Sequence, residues 1–466
     1  MTATSLRNRA DQIVPDEKTA AFADALRGDL IRPGDADYEQ ARRIWNTLID
    51  KHPGAIARCS GTADVVAAVN FARENDIVVA IRGGGHNVGG RALYNDGLVI
   101  DLSRMRGVHV DPQTQTARVQ GGATLGDVDA ETHLHGLAVP FGVISKTGVA
   151  GLTLGGGVGW LVRKYGPTCD NVISAEIVTA DGAVRTVSAE ENPDLYWAIR
   201  GGGGNFGVVT SLLYQAYPLS TVLGGLIVYP REAAPEVLRG YRDFMKTAPE
   251  DLTVYAGLIW TPDGTPATAL VVCWSGADLA AGEQAMAPLK KLAVPLMIAV
   301  EPMPFPAMQS ILDAAFPEGT RNYWKSAFIK WLTDEVIDVI VEQAKGMTSP
   351  MSGLLIEFYG GAGGRKAGDT NAFAQRNSDY LVGFMPQWTD PAEDQAQVAW
   401  AKGAWDAIQP FATGEYLLNY LAEEGQEVVR AAFGSNYPRL RELKRAYDPT
   451  NFFSINQNIR PAEAVR

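Results

Sequence analysis

Between Ala63 and Asp76 apolar residues return every three or four positions in ADVVAAVNFAREND, the stripe of an amphipathic helix opened by Thr62 and Asp64. The chain then enters IVVAI (77–81), an unbroken apolar run of strand length that ends at a glycine cluster. LVIDLS and ARVQGG predict two further strands, and a helix is expected from Leu125 through Leu137. AEIVTADGAVRTVS alternates on both sides of Asp181-Gly182, the signature of a hairpin. Near Pro218 the texture changes: glycine clusters stop and large aromatic residues become frequent. GGLIVY, ATALVVCW and GLLIEFYGG then predict strands, with helical stretches such as TDEVIDVIVEQAKG between them. GGAGGRKAGDTN (360–371) is expected to be a mobile loop, and the last ~45 residues return to helix. The pattern is α+β, with a cofactor domain followed by a substrate domain.

At 466 residues the chain is long enough for two or three domains. Its hydrophobic share of 46% and charged share of 20% are those of a globular protein. A net charge of −12 argues against partnership with nucleic acid or an anionic membrane. No apolar leader and no membrane-length apolar run is visible, so a cytoplasmic location is expected. Cys59, Cys169 and Cys273 are too scattered for a disulfide framework or a metal site.

Glycine gathers at 83–90, 121–122, 155–159 and 201–204. GGGNFG (202–207) matches the dinucleotide fingerprint, but it follows a helical segment and precedes a strand, and no acidic residue comes before Glu232. That order is wrong for a Rossmann turn. Four glycine loops, one carrying His86, instead suit an extended phosphorylated ligand held by main-chain N–H groups.

Four segments together, RGGGHNVGG, GVAGLTLGGGVGWLVRKYGPTCDN, NPDLYWAIRGGGGNFGVVT and YDPTNFFSINQNIRP, resemble the FAD-linked oxidases with a vanillyl-alcohol-oxidase-type flavin domain, in their berberine-bridge-enzyme-like branch. The resemblance implies a two-part FAD-binding domain of the PCMH type over residues 1–215 (core about 50–220). It also implies a substrate domain over 216–420 with an antiparallel sheet covered by helices, and a C-terminal segment, 421–466, that returns to the first domain. It implies FAD bonded twice, through His86 to the 8α-methyl and through Cys169 to C6. Arg82, Gly83, Gly84, Gly85, Asn87 and Gly90 would form the first cofactor loop. Gly148, Gly151, Gly156, Gly159 and Asn171 would form the second, and Gly207, Asn456 and Asn458 would complete the cradle. Val172 would control oxygen access, its small side chain favouring an oxidase.

The implied reaction passes a hydride from a substrate C–H to flavin N5, and O2 reoxidises the flavin to give H2O2. An alcohol, a hydroxylated natural product or a sugar is the expected substrate, acted on by a monomer or homodimer. The usual Tyr-x-Asn base is altered: aligned on Asn419, the tyrosine position holds Leu417. Tyr416 and Tyr420 are the nearest phenols, but in an extended strand both would face away from Asn419. Glu357 and Tyr323 are further candidate bases, and Tyr165, Lys325 and Tyr359 are candidate cleft residues. The leucine also resembles amine oxidases of the hydroxynicotine-oxidase type. A flavin-binding protein with a decayed catalytic site is the third alternative.

Overall fold

The computed structural model describes residues 5–463 except 423. Two sheets take all their strands from the first 215 residues. In the four-stranded sheet Ala55–Arg58 and Val79–Arg82 each pair in parallel with Leu98–Asp101, and Asp29–Ile31 lies antiparallel at the edge. The helix Thr62–Glu74 crosses between the first two, burying Val65, Ala68, Val69 and Ala72 as its apolar stripe requires. The five-stranded sheet is antiparallel, in the order Val108–Asp111, Thr116–Gln120, Val208–Gln215, Val172–Val178 and Val184–Ser188. Its last two strands are the expected hairpin.

A seven-stranded antiparallel sheet draws its strands from Thr221–Pro230 through Tyr380–Met385. Strand alternation gives it two different faces. Leu354, Ile356 and Phe358 of the strand Gly353–Phe358 join a core with residues of the helices Ala234–Met245, Asp334–Ala344 and Asp394–Ile408. Leu355 and Glu357 point the other way, on the same side as Gly383 and Leu381, their cross-strand partners. The helices Gln426–Phe433 and Tyr437–Tyr447 return to the earlier part of the chain, where Phe433 and Leu440 pack in one core with Leu195 and Ala198.

Two local expectations change. The helix begun at Leu125 ends at His133, because Gly136 adopts φ +65° and turns the chain; Leu137–Ala138 becomes a short strand beside Tyr217–Pro218. The glycine-rich stretch 360–371 is tied down rather than loose. It contains a helical turn, Ala362–Arg365, and buries Asn371, whose Nδ2 donates to Asp170 Oδ1 at 2.6 Å.

Candidate active site

The strand Val79–Arg82 runs straight into the first glycine loop, which meets the segment opening the helix Val149–Leu154. The two approach so closely that a Cβ on Gly84 would lie 2.5 Å from the Gly148 backbone, and one on Gly148 would lie 2.3 Å from the Gly84 nitrogen. Only glycine permits this contact. Between these loops, the loop carrying Gly203, Gly204 and Gly207, and the stretch Phe453 to Gln457 lies a cavity of about 250 Å3. Cβ atoms added at Gly151 or Gly204 would meet nothing within 4 Å, so bare main chain faces the space.

Among the wall residues, His86 through Nε2, Trp324 through Nε1 and Asn456 through Oδ1 carry buried polar atoms without a hydrogen-bond partner. Burial pushes the His86 imidazole down to about 4, so it is neutral at physiological pH. Its ring stacks on Trp45 (centroids 4.4 Å apart, planes 11° apart), and the Trp45 indole is held by a 3.1 Å bond from Nε1 to the Phe316 carbonyl. A neutral, oriented imidazole with an open nitrogen and bare backbone nearby fits a flavin dinucleotide.

Of the residues expected to hold the cofactor, Gly83, Gly84, Gly85, Asn87, Gly148, Gly151, Gly207 and Asn456 also line the cavity. Several other expected cofactor contacts do not. The Arg82 guanidinium turns back to the Ala41 carbonyl, and Gly90 packs under Ile49. Gly156 lies against the Phe373 ring and Gly159 against the Phe141 carbonyl, so these glycines serve close packing. Asn171 ties its own loop, donating to the Tyr165 and Pro167 carbonyls and accepting from Tyr217 Oη at 2.8 Å. Asn458 has a buried Oδ1 without a partner but lies off the wall.

The structure also leaves Cys169 and Val172 off the cavity. Thr168–Asn171 is a 3-10 turn that buries the Cys169 thiol completely, with Sγ 3.9 Å from Asp170 Oδ1 and 4.0 Å from Asn371 Nδ2. Burial, with Asp170 alongside, pushes that thiol up to about 12, which keeps it protonated at neutral pH. Val172 is a core residue of the five-stranded sheet, packed in one cluster with Tyr214 and Leu212.

The far wall comes from Leu312, Phe316, Trp324, Leu355, Met385 and the turn Leu418–Tyr420. That turn is 3-10, not extended. Successive side chains are therefore about 120° apart rather than opposed, and Asn419 and Tyr420 reach the cavity together while Leu417 is buried behind them. Asn419 accepts from Gly157 N at 3.2 Å and donates to the Leu152 carbonyl at 3.0 Å, pinning the turn to the second glycine loop. Tyr420 Oη donates to Glu357 Oε1 at 2.9 Å, and Tyr359 Oη donates to Oε2 of the same carboxylate. Glu357 is 3% exposed, and burial lifts its carboxyl from 4.5 to about 7 against the opposing pull of both phenols. Burial, with Glu357 alongside, pushes both phenols well above their usual range.

The other candidates lie elsewhere. Tyr165 stacks on Tyr217 at 3.8 Å, Tyr323 sits beneath the ammonium groups of Lys325 and Lys402, and Lys325 is paired with Glu424 at 2.6 Å. Tyr416 borders a small void on the other side of Tyr420 and Trp324. The sequence reasoning missed Trp45, for which RRIWNTL offers no signal, and it did not single out Trp324 within NYWKSAF. Trp324 stands edge-on to Trp45 at 5.4 Å and to Tyr420 at 5.5 Å, so aromatic contacts link the histidine to the phenol.

Residues 53–188 match the FAD binding domain family, and residues 417–460 match the family described as berberine and berberine like. A FAD-linked oxidoreductase of Dictyostelium discoideum is 31% identical over 450 residues, covering 95% of this chain and 96% of that one. The chain belongs to the berberine-bridge-enzyme-like FAD-linked oxidoreductases. Its similarity to (R)-6-hydroxynicotine oxidase of Paenarthrobacter nicotinovorans is 32% identity, over 94% of this chain and 97% of that protein. The crystal structure of 6-hydroxy-D-nicotine oxidase from Arthrobacter nicotinovorans superposes with a TM-score of 0.86 at 29% identity, covering 94% and 98% of the two chains. A xylooligosaccharide oxidase from Myceliophthora thermophila shares the fold, with a TM-score of 0.85 at 24% identity over 96% and 100%. As a member of this family the chain is an FAD-linked oxidoreductase. Among the described residues no helix is long and apolar enough to cross a membrane.

Proposed function

We propose that this protein is an FAD-dependent oxidase of a small hydroxylated molecule, with His86 as a single covalent tether and Tyr420, backed by Glu357, as the proton acceptor. Bound in the cradle, FAD supplies the hydride acceptor and delivers the electron pair to dioxygen as hydrogen peroxide. The protein's share is placement and proton transfer. Its glycine loops offer main-chain N–H groups to the phosphates, and neutral His86 offers Nε2 for attachment without first losing a proton. Cys169, buried and protonated away from the wall, serves packing.

The observation that carries the reading is the Tyr420–Glu357 bond at the cavity wall. Tyr420 accepts the proton from the substrate O–H while its own phenolic proton moves to Glu357, so a carboxylate poised near neutrality becomes the final acceptor. Tyr359 holds the carboxylate in place from its other oxygen. An intact relay at the wall also speaks against a flavin-binding protein with a decayed site. The similarity to (R)-6-hydroxynicotine oxidase favours a second reading, oxidation of an amine. Anaerobic mixing with panels of secondary alcohols and cyclic amines tests both. Bleaching of the flavin by one panel, followed by stoichiometric peroxide on admitting air, is expected; a flavin that dithionite bleaches and no member of either panel does would refute the oxidase reading.

A further inference from the structure

The wall opposite the glycine loops is built from Leu312, Phe316, Trp324, Leu355 and Met385. None of the five carries a charge, and the only hydrogen-bonding atom in their side chains is the Trp324 indole nitrogen, itself buried. The indole is fixed from three sides, edge-on to Trp45, Tyr420 and Phe316, the last at 5.8 Å and 74°. Leu355 and Met385 project from the same sheet face as Glu357, because Gly353 pairs with Met385 and Leu355 with Gly383. Apolar contact and the proton acceptor are therefore offered side by side.

Resting on the oxidase reading, we propose that the substrate is a flat apolar or aromatic ring system bearing one reacting O–H or N–H, and that sugars and other polyols are excluded. The reacting group lies at Tyr420, and the ring lies against Trp324, Phe316, Leu355 and Met385. A polyol would bring several hydroxyls to five side chains that offer a single partner, the unpaired Trp324 Nε1, and each further hydroxyl buried without a partner carries a desolvation penalty. One such mismatch is worth up to about 100-fold in discrimination, and several compound. The surface selects by what it lacks.

The test compares 2-naphthylmethanol with cellobiose on the holoenzyme under anaerobic conditions. Binding is read from perturbation of the flavin spectrum and reaction from bleaching. Naphthylmethanol should bind at least about 100-fold more tightly. Leu355→Asn, which places an amide on the same wall without removing the relay, should narrow that ratio by about tenfold. Comparable or tighter binding of cellobiose would overturn the proposal, as would failure of both probes to bind at millimolar concentration. Tight naphthylmethanol binding without bleaching by it or by the alcohol and amine panels would leave this wall correctly read while removing the oxidase assignment; bleaching by cellobiose alone would do the reverse.

Discussion

Replacing Glu357 with glutamine keeps the volume of a side chain that is 3% exposed and removes its charge. The gap between about 7 and the ordinary 4.5 corresponds to about 3 kcal/mol of disfavoured ionisation. Two measurable consequences follow from that one quantity. In the wild type about a tenth of Glu357 is ionised at pH 6 and about nine-tenths at pH 8, so kcat/KM should rise about tenfold over that span. In Glu357→Gln the step should vanish, with anaerobic flavin reduction slowed by roughly 10²- to 10⁴-fold, the usual contribution of a general base. Stability moves the other way. Between pH 4.5 and 7 the folded carboxyl holds its proton more tightly than the unfolded one, so wild-type stability falls as pH rises through that window. The glutamine variant is spared this loss, and the unfolding free energies should therefore diverge by up to about 3 kcal/mol between pH 4 and pH 8. Stopped-flow reduction and denaturant unfolding at both pH values read the two effects. A variant that keeps the pH step, or whose stability relative to wild type does not depend on pH, would refute the assignment of Glu357 as the buried acceptor.

The tether reading makes a second prediction: digestion after denaturation should yield FAD on the His86 peptide alone, unchanged in Cys169→Ala and lost in His86→Ala; FAD bridging the His86 and Cys169 peptides in the wild type would restore two attachments. A third concerns Lys444, wholly buried, whose Nζ bonds Asp448 Oδ2 and the Asn205 carbonyl at 2.6 Å each and the Phe453 carbonyl at 2.9 Å. Lys444→Met leaves the Asp448 charge buried without its cation and should cost about 3–5 kcal/mol in denaturant unfolding, with a loss under about 1 kcal/mol contradicting a clamp on the cavity-lining segment that starts at Phe453.

Part of the cavity is legible in the sequence because main chain that must lie bare or in close contact calls for glycine. The loop around His86, the approach of Gly148, and the C-terminal Asn456 all fall on the cavity. Two departures from the expected placement share a cause, which is that sidedness depends on local helical geometry. A 3-10 turn at Thr168–Asn171 rotates Cys169 inward, and another at Leu418–Tyr420 undoes the strand parity that would have turned Tyr420 away. No one-dimensional pattern reports either rotation. The Trp45–Trp324 contact joins positions 279 residues apart, a pairing set only when the seven-stranded sheet and the first domain come together. Glu357 was visible as a chemical type, whereas its acid strength comes from burial, which only the fold supplies.

The alternation along Gly353–Phe358 separates two tasks within one strand. Leu354, Ile356 and Phe358 hold the helical core, whereas on the opposite side Leu355 lines the cavity and Glu357 bonds Tyr420. Every second residue of this strand therefore meets a different physical constraint, packing on one side and the cavity on the other. Substitutions at 355, and at 385 on the neighbouring strand, could remodel the chamber while leaving the helix-packed layer intact. A change of letters on one side of this ribbon alters the cavity wall without touching the residues that pack the helices.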